Sequence, residues 1–301
     1  MTKYDLVLHG ETPMLSVNRS DYLTRRKGST MYVDVHTHLT HEKFNSDQDS
    51  VIRKSIDAGL HAIVVNGLEP KSNRQILEMA NKYNEILPAL GIYPSQGIAH
   101  LVDQKKFKIT PFNVDEEISF IRSQAAEGKI VAVGECGLDG YWHGEETFRD
   151  QEKVLLGLME VASDHDLPII VHSRKLERRC IEMFEHHGQK KINFHCYCGK
   201  TKYAVAAAEK HGWHFSIPAN IKRSESFQAL TRKLPVTSLL TETDAPYLSP
   251  VPGTRNDPSN VPNTVKVMAE IRGISEENMI STIWKNFCDL FGTFDSGTKS
   301  N

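Results

Sequence analysis

The sequence predicts an α/β protein whose fold is a TIM-like (β/α)8 barrel. Three observations predict it. From residue 31 onward, short apolar runs alternate with amphipathic stretches, as in a chain of repeated strand–helix units. The apolar runs are nearly continuous, as expected for parallel strands that are buried on both faces. The 301 residues, 39% hydrophobic and 25% charged, are typical of a globular protein and numerous enough for one barrel.

Eight apolar runs of strand length follow one another along the chain. They are YVDVHTHL, HAIVVNG, ILPALGIYP, IVAVGECGLD, LPIIVHSR, INFHCYCG, WHFSIPAN and SLLTETDAPYL. Between them lie stretches with the helical period of apolar residues. Examples are DSVIRKSIDAG, SNRQILEMANKYN, DEEISFIRSQAAEG, FRDQEKVLLGLMEVASDH and TKYAVAAAEKHG. The Pro-rich loop SPVPGTRNDPSNVP follows the eighth run, and we expect two further helical stretches to cap the barrel, giving one domain over residues 31–295.

The first 30 residues differ from the rest of the chain. They contain scattered polar residues and the basic cluster Arg25-Arg26-Lys27, and they show no sustained hydrophobic period. Met31 stands directly before the first apolar run. We predict that residues 1–30 are an N-terminal extension or leader, non-native or disordered, outside the barrel domain.

The bulk properties exclude several classes of protein. A net charge of −2 and a pI near 6.7 give no overall basic surface for nonspecific binding of nucleic acid, although a local basic rim is compatible with them. The five cysteines show no paired spacing. No run approaches the roughly 18 apolar residues of a membrane helix. We therefore expect a cytoplasmic protein without a membrane segment or an obligate protein partner.

Polar residues recur where the predicted strands end, which is where barrels carry their active sites. Side chains alternate along a strand, so Asp34, His36 and His38 share one face, and in a barrel that face is the interior. Burying such groups without partners would cost several kcal/mol each. The corresponding residues of later strands are Glu135, His172, His195, Glu242 and Asp244.

These side chains predict a centre for two divalent cations. We assign His36, His38 and Asp244 to one cation. We assign His172 and His195 to the other, with Glu135 reaching both. Mixed nitrogen and oxygen ligation favours Zn, Mn, Fe or Ni over Ca, and Mg is a further candidate. We expect Asp34 and Glu242 to lie behind the ligands and to orient them.

Each residue alone also has an ordinary interpretation. An HxH pair in a strand is often a hydrogen-bonded or surface pair, a single Glu caps a helix, and single histidines are often satisfied core residues. All of these interpretations would have to hold together, at corresponding points of separate repeats. The metal centre is therefore the preferred hypothesis.

The motifs that carry these residues resemble, as a set, the TatD family of metal-dependent deoxyribonucleases, within the amidohydrolase-like barrels. They are DVHTH (34–38), GIYP (91–94), VGECGLD (133–139), VHSR (171–174), FHCYCG (194–199), TETDAPYL (241–248) and RNDP (255–258). The resemblance runs from about Met31 to Phe291. It implies the same ligand set and a deoxyribonuclease that acts as a 3'-5' exonuclease on DNA.

The chain departs from the family pattern at three places. The family usually carries a histidine where this chain has Tyr93, and that position is thought to lie near the substrate phosphate. The family commonly has an acidic residue where this chain has Lys175. The seventh strand ends in SIPANIKRSE, without the glycine-rich turn often found there. These changes affect the expected substrate contacts and leave the ligand set intact.

Several residues near the predicted centre are candidates for binding substrate. Besides Tyr93, we predict phosphate contacts by Arg174 and Arg255, because a planar guanidinium matches two phosphate oxygens; a surface ion pair is the alternative for each arginine. Tyr141 and Trp142 either stack on a nucleobase or, as we favour, pack against their own loop.

The sequence therefore predicts two-metal hydrolysis of a phosphodiester, in which Asp244 accepts the proton of the attacking water and Glu135 bridges the cations. The alternatives are hydrolysis of another ester or amide, such as deacylation of D-aminoacyl-tRNA, and a barrel that serves only as a scaffold. We interpret Cys136, Cys196 and Cys198 as small buried hydrophobic residues rather than zinc thiolates.

Overall fold

A computed structural model describes residues 31–292, in which eight parallel strands form one sheet. Each strand pairs with the next one in the chain, in the order β1 to β8. The strands are β1 (Tyr32–Thr37), β2 (Leu60–Asn66), β3 (Ile86–Leu90), β4 (Ala132–Gly137), β5 (Ile169–His172), β6 (Ile192–Phe194), β7 (His214–Ile217) and β8 (Leu239–Thr241). The predicted extension at residues 1–30 and the last residues of the predicted domain lie outside the described residues.

Helices connect the strands and surround the sheet. They are α1 (Gln48–Asp57), α2 (Pro70–Lys82), α3 (Pro94–Gly97), α4 (Val114–Ala126), α5 (Phe148–Asp164), α6 (Glu177–His186), α7 (Thr201–His211), α8 (Glu225–Lys233), α9 (Val261–Arg272) and α10 (Glu276–Phe291). Within residues 31–292, no helix has the length and apolar character needed to cross a bilayer.

Local sequence signals set the helix boundaries. At the start of α2, the Glu69 carboxylate accepts the backbone N–H of Ser72, whose hydroxyl accepts the N–H of Glu69 in return, and Pro70 occupies the first turn. Helices α7 and α9 end at Gly212 and Gly273, both in the left-handed region that glycine adopts without strain. The final two helices, which we expected to cap the barrel, pack against β1 and β8.

Hydrogen bonds join β8 to β1 and close the barrel at its mouth. The Thr241 hydroxyl donates to the Val33 carbonyl at 2.6 Å. The N–H of Asp244 donates to the His36 carbonyl and the N–H of His38 to the Ala245 carbonyl, each at 2.8 Å. The TIM-like fold is confirmed, and its closure fixes the predicted ligands of β1 beside the predicted ligand that follows β8.

Candidate metal centre

The carboxyl ends of the strands bring all six predicted ligand residues into one cluster. Their nitrogen and oxygen atoms form three overlapping groups, in each of which the atoms lie within 4.8 Å of one another. Five of the side chains are buried and Asp244 is partly exposed. The groups are His36, His38 and Glu135; His36, His195 and Asp244; and Glu135, His172 and His195.

Glu135 lies at the middle of this cluster, between two pairs of imidazoles. Its Oε2 is 3.2 Å from Nε2 of His38 and 3.6 Å from Nε2 of His36. Its Oε1 is 3.0 Å from Nδ1 of His172 and 2.9 Å from Nε2 of His195. One carboxylate therefore presents one oxygen to each pair, which is the arrangement that a bridging ligand requires.

Asp244 belongs to the half of the cluster that contains the β1 histidines. Its Oδ1 is 3.5 Å from Nε2 of His38 and 3.6 Å from Nε2 of His36. The residue has a φ of +53°, in the left-handed region that is unfavourable for most side chains. Its N–H bonds the His36 carbonyl, and its own carbonyl accepts the N–H of Tyr247, both at 2.8 Å. These bonds hold the backbone in the conformation that aims the carboxylate at the imidazoles.

Two of the histidines are oriented from behind by a hydrogen-bond acceptor. Nδ1 of His38 lies 3.1 Å from the Asn66 carbonyl, which can only accept, so the ring carries its proton there and Nε2 faces the cluster with a lone pair. Nε2 of His172 lies 2.8 Å from Oδ2 of Asp139, which directs Nδ1 of that ring towards Glu135. Asp139 ends the VGECGLD motif but is not among the predicted site residues.

The donor set fits divalent cations. With neutral rings, lone pairs of His38 and His172 would face Glu135 oxygens at 3.2 and 3.0 Å, and two acceptors at that distance repel unless a cation or a proton lies between them. Burial alone would lower the pKa of His38, but hydrogen bonds to Asp244 and Glu135 outweigh it and raise that pKa to about 10. His38 thus favours positive charge, whereas burial and the neighbouring His195 lower the pKa of His36 to about 4. A divalent cation can replace the protons of such a cluster.

The carboxylates of the cluster are the source of this preference. Burial opposes the ionisation of Glu135, yet His195 and His36 together hold its pKa well below the ordinary value. Burial also opposes the ionisation of Asp244, whose pKa is lowered by the His38 hydrogen bond and the nearby rings. Both side chains are therefore negatively charged at neutral pH, as metal ligands must be.

Two predicted supporting carboxylates, Asp34 and Glu242, are buried beneath the cluster. Asp34 accepts the N–H of His36 at 3.2 Å, and the N–H and the hydroxyl of Thr243 at 3.0 and 2.5 Å. The prediction that Asp34 orients an imidazole is therefore wrong: it ties the backbone of β1 to the segment after β8.

Glu242 lies behind the β6 ligand. It accepts the Cys196 N–H at 2.9 Å and the Ser216 hydroxyl at 2.6 Å, and its Oε2 is 4.0 Å from Nδ1 of His195, too far for a hydrogen bond. Burial, followed by the nearby Asp244, raises the pKa of Glu242 well above its ordinary value. The side chain fixes the backbone next to His195 rather than the ring itself.

Two glycines allow β4 to approach its neighbours closely enough to place Glu135. A Cβ on Gly91, after β3, would lie 2.4 Å from the Glu135 carbonyl oxygen. A Cβ on Gly137, which has a φ of +147°, would lie 1.8 Å from the His172 carbonyl oxygen. Both are far shorter than any van der Waals contact, so only glycine fits. The GIYP and VGECGLD motifs are thus partly requirements of packing.

Three residues predicted to bind substrate have different surroundings. The Tyr93 hydroxyl is 3.5 Å from Nε2 of His172, beside the cluster. Arg255 makes a two-pronged ion pair with Asp47, at 2.8 and 2.6 Å, which is the surface alternative that the sequence left open. Arg174 makes no ion pair with a carboxylate of the described chain, and its guanidinium stacks at 3.6 Å on an aromatic ring of the β4 loop.

That ring belongs to Tyr141, which is 50% exposed, and the adjacent Trp142 is 49% exposed. The packing that we favoured for these two residues is therefore only partial. Among the cysteines, Cys136 is buried as expected, but Cys198 is exposed, so its interpretation as a buried hydrophobic residue is wrong.

A closed barrel of parallel strands with imidazoles and carboxylates converging at its carboxyl end defines the class of metal-dependent barrel hydrolases. The chain belongs to the TatD related DNase family, whose model matches residues 33–292.

Characterised and structurally solved relatives share nearly the whole barrel. The chain is 32% identical over 263 residues to human deoxyribonuclease TATDN3, covering 86% of this chain and 94% of that protein. It is 27% identical over 270 residues to the 3'-5' ssDNA/RNA exonuclease TatD of Escherichia coli K12, covering 86% and 98%. The crystal structure of YJJV, a TatD homologue of E. coli K12, superposes with a TM-score of 0.74 at 25% identity, covering 86% and 97%.

Proposed function

We propose that this protein is a nuclease that uses two divalent cations to remove nucleotides from the 3' end of single-stranded DNA. The observation that carries the proposal is the position of Glu135, whose two oxygens face separate pairs of imidazoles at 2.9–3.6 Å. Relatives named as a deoxyribonuclease and as an ssDNA/RNA exonuclease support the substrate class.

In this proposal, His36, His38, Asp244 and Glu135 would hold one cation. His172, His195 and Glu135 would hold the other. Nitrogen and carboxylate donors suit Zn, Mn or Ni, and Mg is also compatible with the carboxylates. Bound divalent cations would acidify water and neutralise the charge of the attacked phosphoryl group.

Asp244 is the proposed proton acceptor for the attacking water. Of the two acidic residues, Glu135 has four imidazoles within 3.6 Å, whereas Asp244 has two within that distance and is more exposed, with 15% of its side chain accessible against 3%. Its pKa lies below the ordinary value, so it is available as a base at neutral pH.

Tyr93 and Arg174 are the proposed phosphate contacts. Tyr93 reaches the side of the cluster at His172, and burial, followed by the charge of Glu135, raises its pKa well above the ordinary value, so the hydroxyl stays a hydrogen-bond donor. Arg174 has guanidinium edges without a carboxylate partner in residues 31–292, and its stacking on Tyr141 restricts its orientation. Arg255, already paired with Asp47, is not part of this proposal.

We also propose a cytosolic location. The five cysteines are all free, as expected in a reducing compartment. Fractionation of cells that express the full chain tests this, and recovery in a secreted or membrane fraction would contradict it.

The nuclease proposal is tested by incubating the full-length protein with Mg, Mn, Ni or Zn and a single-stranded DNA labelled at its 5' end. We expect a ladder of products shortened from the 3' end, absent with Glu135→Ala. Parallel reactions with a lactone and a D-aminoacyl-tRNA separate the alternatives. No release of nucleotides with any of the metals would overturn the proposal, and hydrolysis of either other substrate alone would reassign the bond.

A further inference from the structure

A groove of about 970 Å³ opens beside the metal centre, between the loops that follow β5 and β6. These loops come directly after the predicted ligands His172 and His195, so the groove begins near the cluster, with Arg174 and Cys198 in its lining and none of the six predicted ligands. The groove continues along the first turns of α6 and reaches Tyr203 in the first turn of α7. Its volume is at the upper end of the range for small-molecule pockets, enough for more than one nucleotide.

The groove is basic, although the chain as a whole has a net charge of −2. The residues that line it include five lysines and arginines and two glutamates, a balance of three positive charges. Such a local concentration of positive charge attracts a polyanion to this part of the surface.

Three of the five cations have no carboxylate partner in the part of the chain that the structure describes. Arg178 pairs with Glu182 at 2.7 Å, and Arg179 pairs with Glu152. The remaining cations are Arg174, Lys175 and Lys200, all of them exposed.

Lys175 and Lys200 both line the groove, one in the loop after β5 and the other in the loop after β6. Lys175 has a φ of +66°, and its backbone N–H donates to the Glu177 carboxylate at 3.2 Å, which fixes the turn that carries this exposed lysine. Lys200 stands at the N-terminal boundary of α7. An exposed lysine in each of the two loops, together with the half-exposed ring of Tyr141 in the lining and the adjacent Trp142, forms a surface of the kind that binds single-stranded nucleic acid.

We propose that this groove, with Lys175 and Lys200 as its phosphate contacts, holds the backbone of a single-stranded nucleic acid at nucleotides beyond the one being cleaved. The proposal rests on the proposed nuclease function and extends it, because it assigns the path of the uncleaved strand. Contacts to phosphates do not read the bases, so the groove tolerates any sequence and accepts both DNA and RNA.

The experiment measures binding separately from cleavage. The metal-loaded full-length protein is titrated into a fluorescent single strand of about 12 nucleotides with phosphorothioate linkages, which resist hydrolysis, at several salt concentrations. The test protein is the double variant Lys175→Ala/Lys200→Ala. The matched control is Lys190→Ala/Lys233→Ala, which removes two exposed lysines near the ends of α6 and α8, at the opposite face of the barrel.

We expect the test variant to bind at least about tenfold more weakly at low salt. The slope of log affinity against log salt should fall by about 1.4, because each phosphate contact on a single strand contributes about 0.7. The control should bind like the wild type, and an RNA strand should give the same pattern. If the alanine variant unfolds, Lys175→Gln/Lys200→Gln gives the same readout with longer side chains.

Equal affinity and equal salt slope in the wild type and the test variant would overturn the proposal that the groove binds the strand. Failure of the wild-type protein to bind the strand would overturn it as well. The two proposals fail separately. If the protein binds the strand through the lysines but releases no nucleotides, the proposed nuclease function is refuted and the proposed binding groove is supported. If the wild type cleaves DNA and the test variant binds the strand with unchanged affinity, the nuclease function is supported and the proposed binding groove is refuted.

Discussion

Two buried histidines at the mouth of the barrel differ from one at its opposite end in the charge that they favour. At the start of β7, burial lowers the pKa of His214 to about 4, and Nδ1 of that ring has no hydrogen-bond partner among residues 31–292. At the carboxyl ends of the strands, His38 and His172 are also buried, yet hydrogen bonds to carboxylates raise their pKa values to about 10 and about 9. His36, between them in the cluster, behaves like His214, because burial and the neighbouring His195 lower its pKa to about 4. Burial by itself lowers the pKa of a histidine, and hydrogen bonds to carboxylates raise it.

The difference lies in the carboxylates. Glu135, Asp244 and Asp139 face the imidazoles at the mouth, whereas Asp289 acts on His214 only at longer range. The mouth is able to hold cations because its acids are buried together with its imidazoles. Removing an acid should therefore leave the histidines of the mouth, like His214, with little preference for positive charge.

Glu135→Ala should have the largest effect, because it removes the one side chain shared by both halves of the cluster. Loss of an outer partner of a metal ligand already costs about 10–100-fold in affinity or activity, so we expect a larger loss here, with the fold intact. Elemental analysis and the nuclease assay measure it, with Glu160→Ala on α5 as the control. Full metal content in Glu135→Ala would refute the bridging role.

Asp244→Asn should come next. The amide keeps the size of the side chain and an oxygen donor for the metal. Because it lacks the negative charge of the carboxylate, we expect metal to bind less tightly, and the amide cannot accept the proton of the water. We expect turnover to fall by about 10²–10⁴-fold, the usual contribution of a general base. Normal turnover at saturating metal would place the proton acceptor elsewhere.

Asp139→Asn should affect one half of the cluster more than the other. It removes the carboxylate at 2.8 Å from Nε2 of His172, so affinity on the His172 side should fall about 10–100-fold while the His36 side is retained. Calorimetric titration of divalent metal should then resolve two affinities. Asp34→Asn is the comparison, because Asp34 bonds backbone N–H groups and a hydroxyl; a similar separation of affinities in both variants would contradict the role of Asp139.

His214→Gln should have the smallest effect, on stability rather than activity. The pKa of His214 is lowered in the folded state, so the unfolded chain takes up the proton first, and stability is lost as the pH falls from 6.5 towards 4. This contributes at most about 3 kcal/mol. Chemical unfolding at pH 7 and at pH 4.5 should show a smaller loss for the variant than for the wild type, and equal losses would refute it.

Strand alternation made most of the cluster predictable from the sequence, because residues at every second position must share the interior face. His36, Glu135 and His172 lie in regular strands, and His38 and His195 directly follow one, where the period of two still holds. Asp244 lies three residues beyond β8 with a φ of +53°, and its place in the cluster was predicted from the position of its motif at the strand end.

The contacts that the sequence did not reveal lie where that period ends. Asp139 follows β4 across Gly137, whose φ of +147° turns the chain so that counting along the strand no longer tells where a side chain points. Arg255 pairs with Asp47, 208 positions away in the sequence. This ion pair joins two loops, and no local sequence pattern predicts it. Such contacts depend on how loops meet in three dimensions.

We propose that the mouth binds two divalent cations on opposite sides of Glu135. Crystals grown with MnCl₂, with diffraction recorded to show anomalous scattering, test it most directly. We expect one anomalous peak beside Oε2, with His36, His38 and Asp244, and another beside Oε1, with His172 and His195. A mouth without anomalous peaks at saturating manganese, with the same side chains in the same places, would contradict the account.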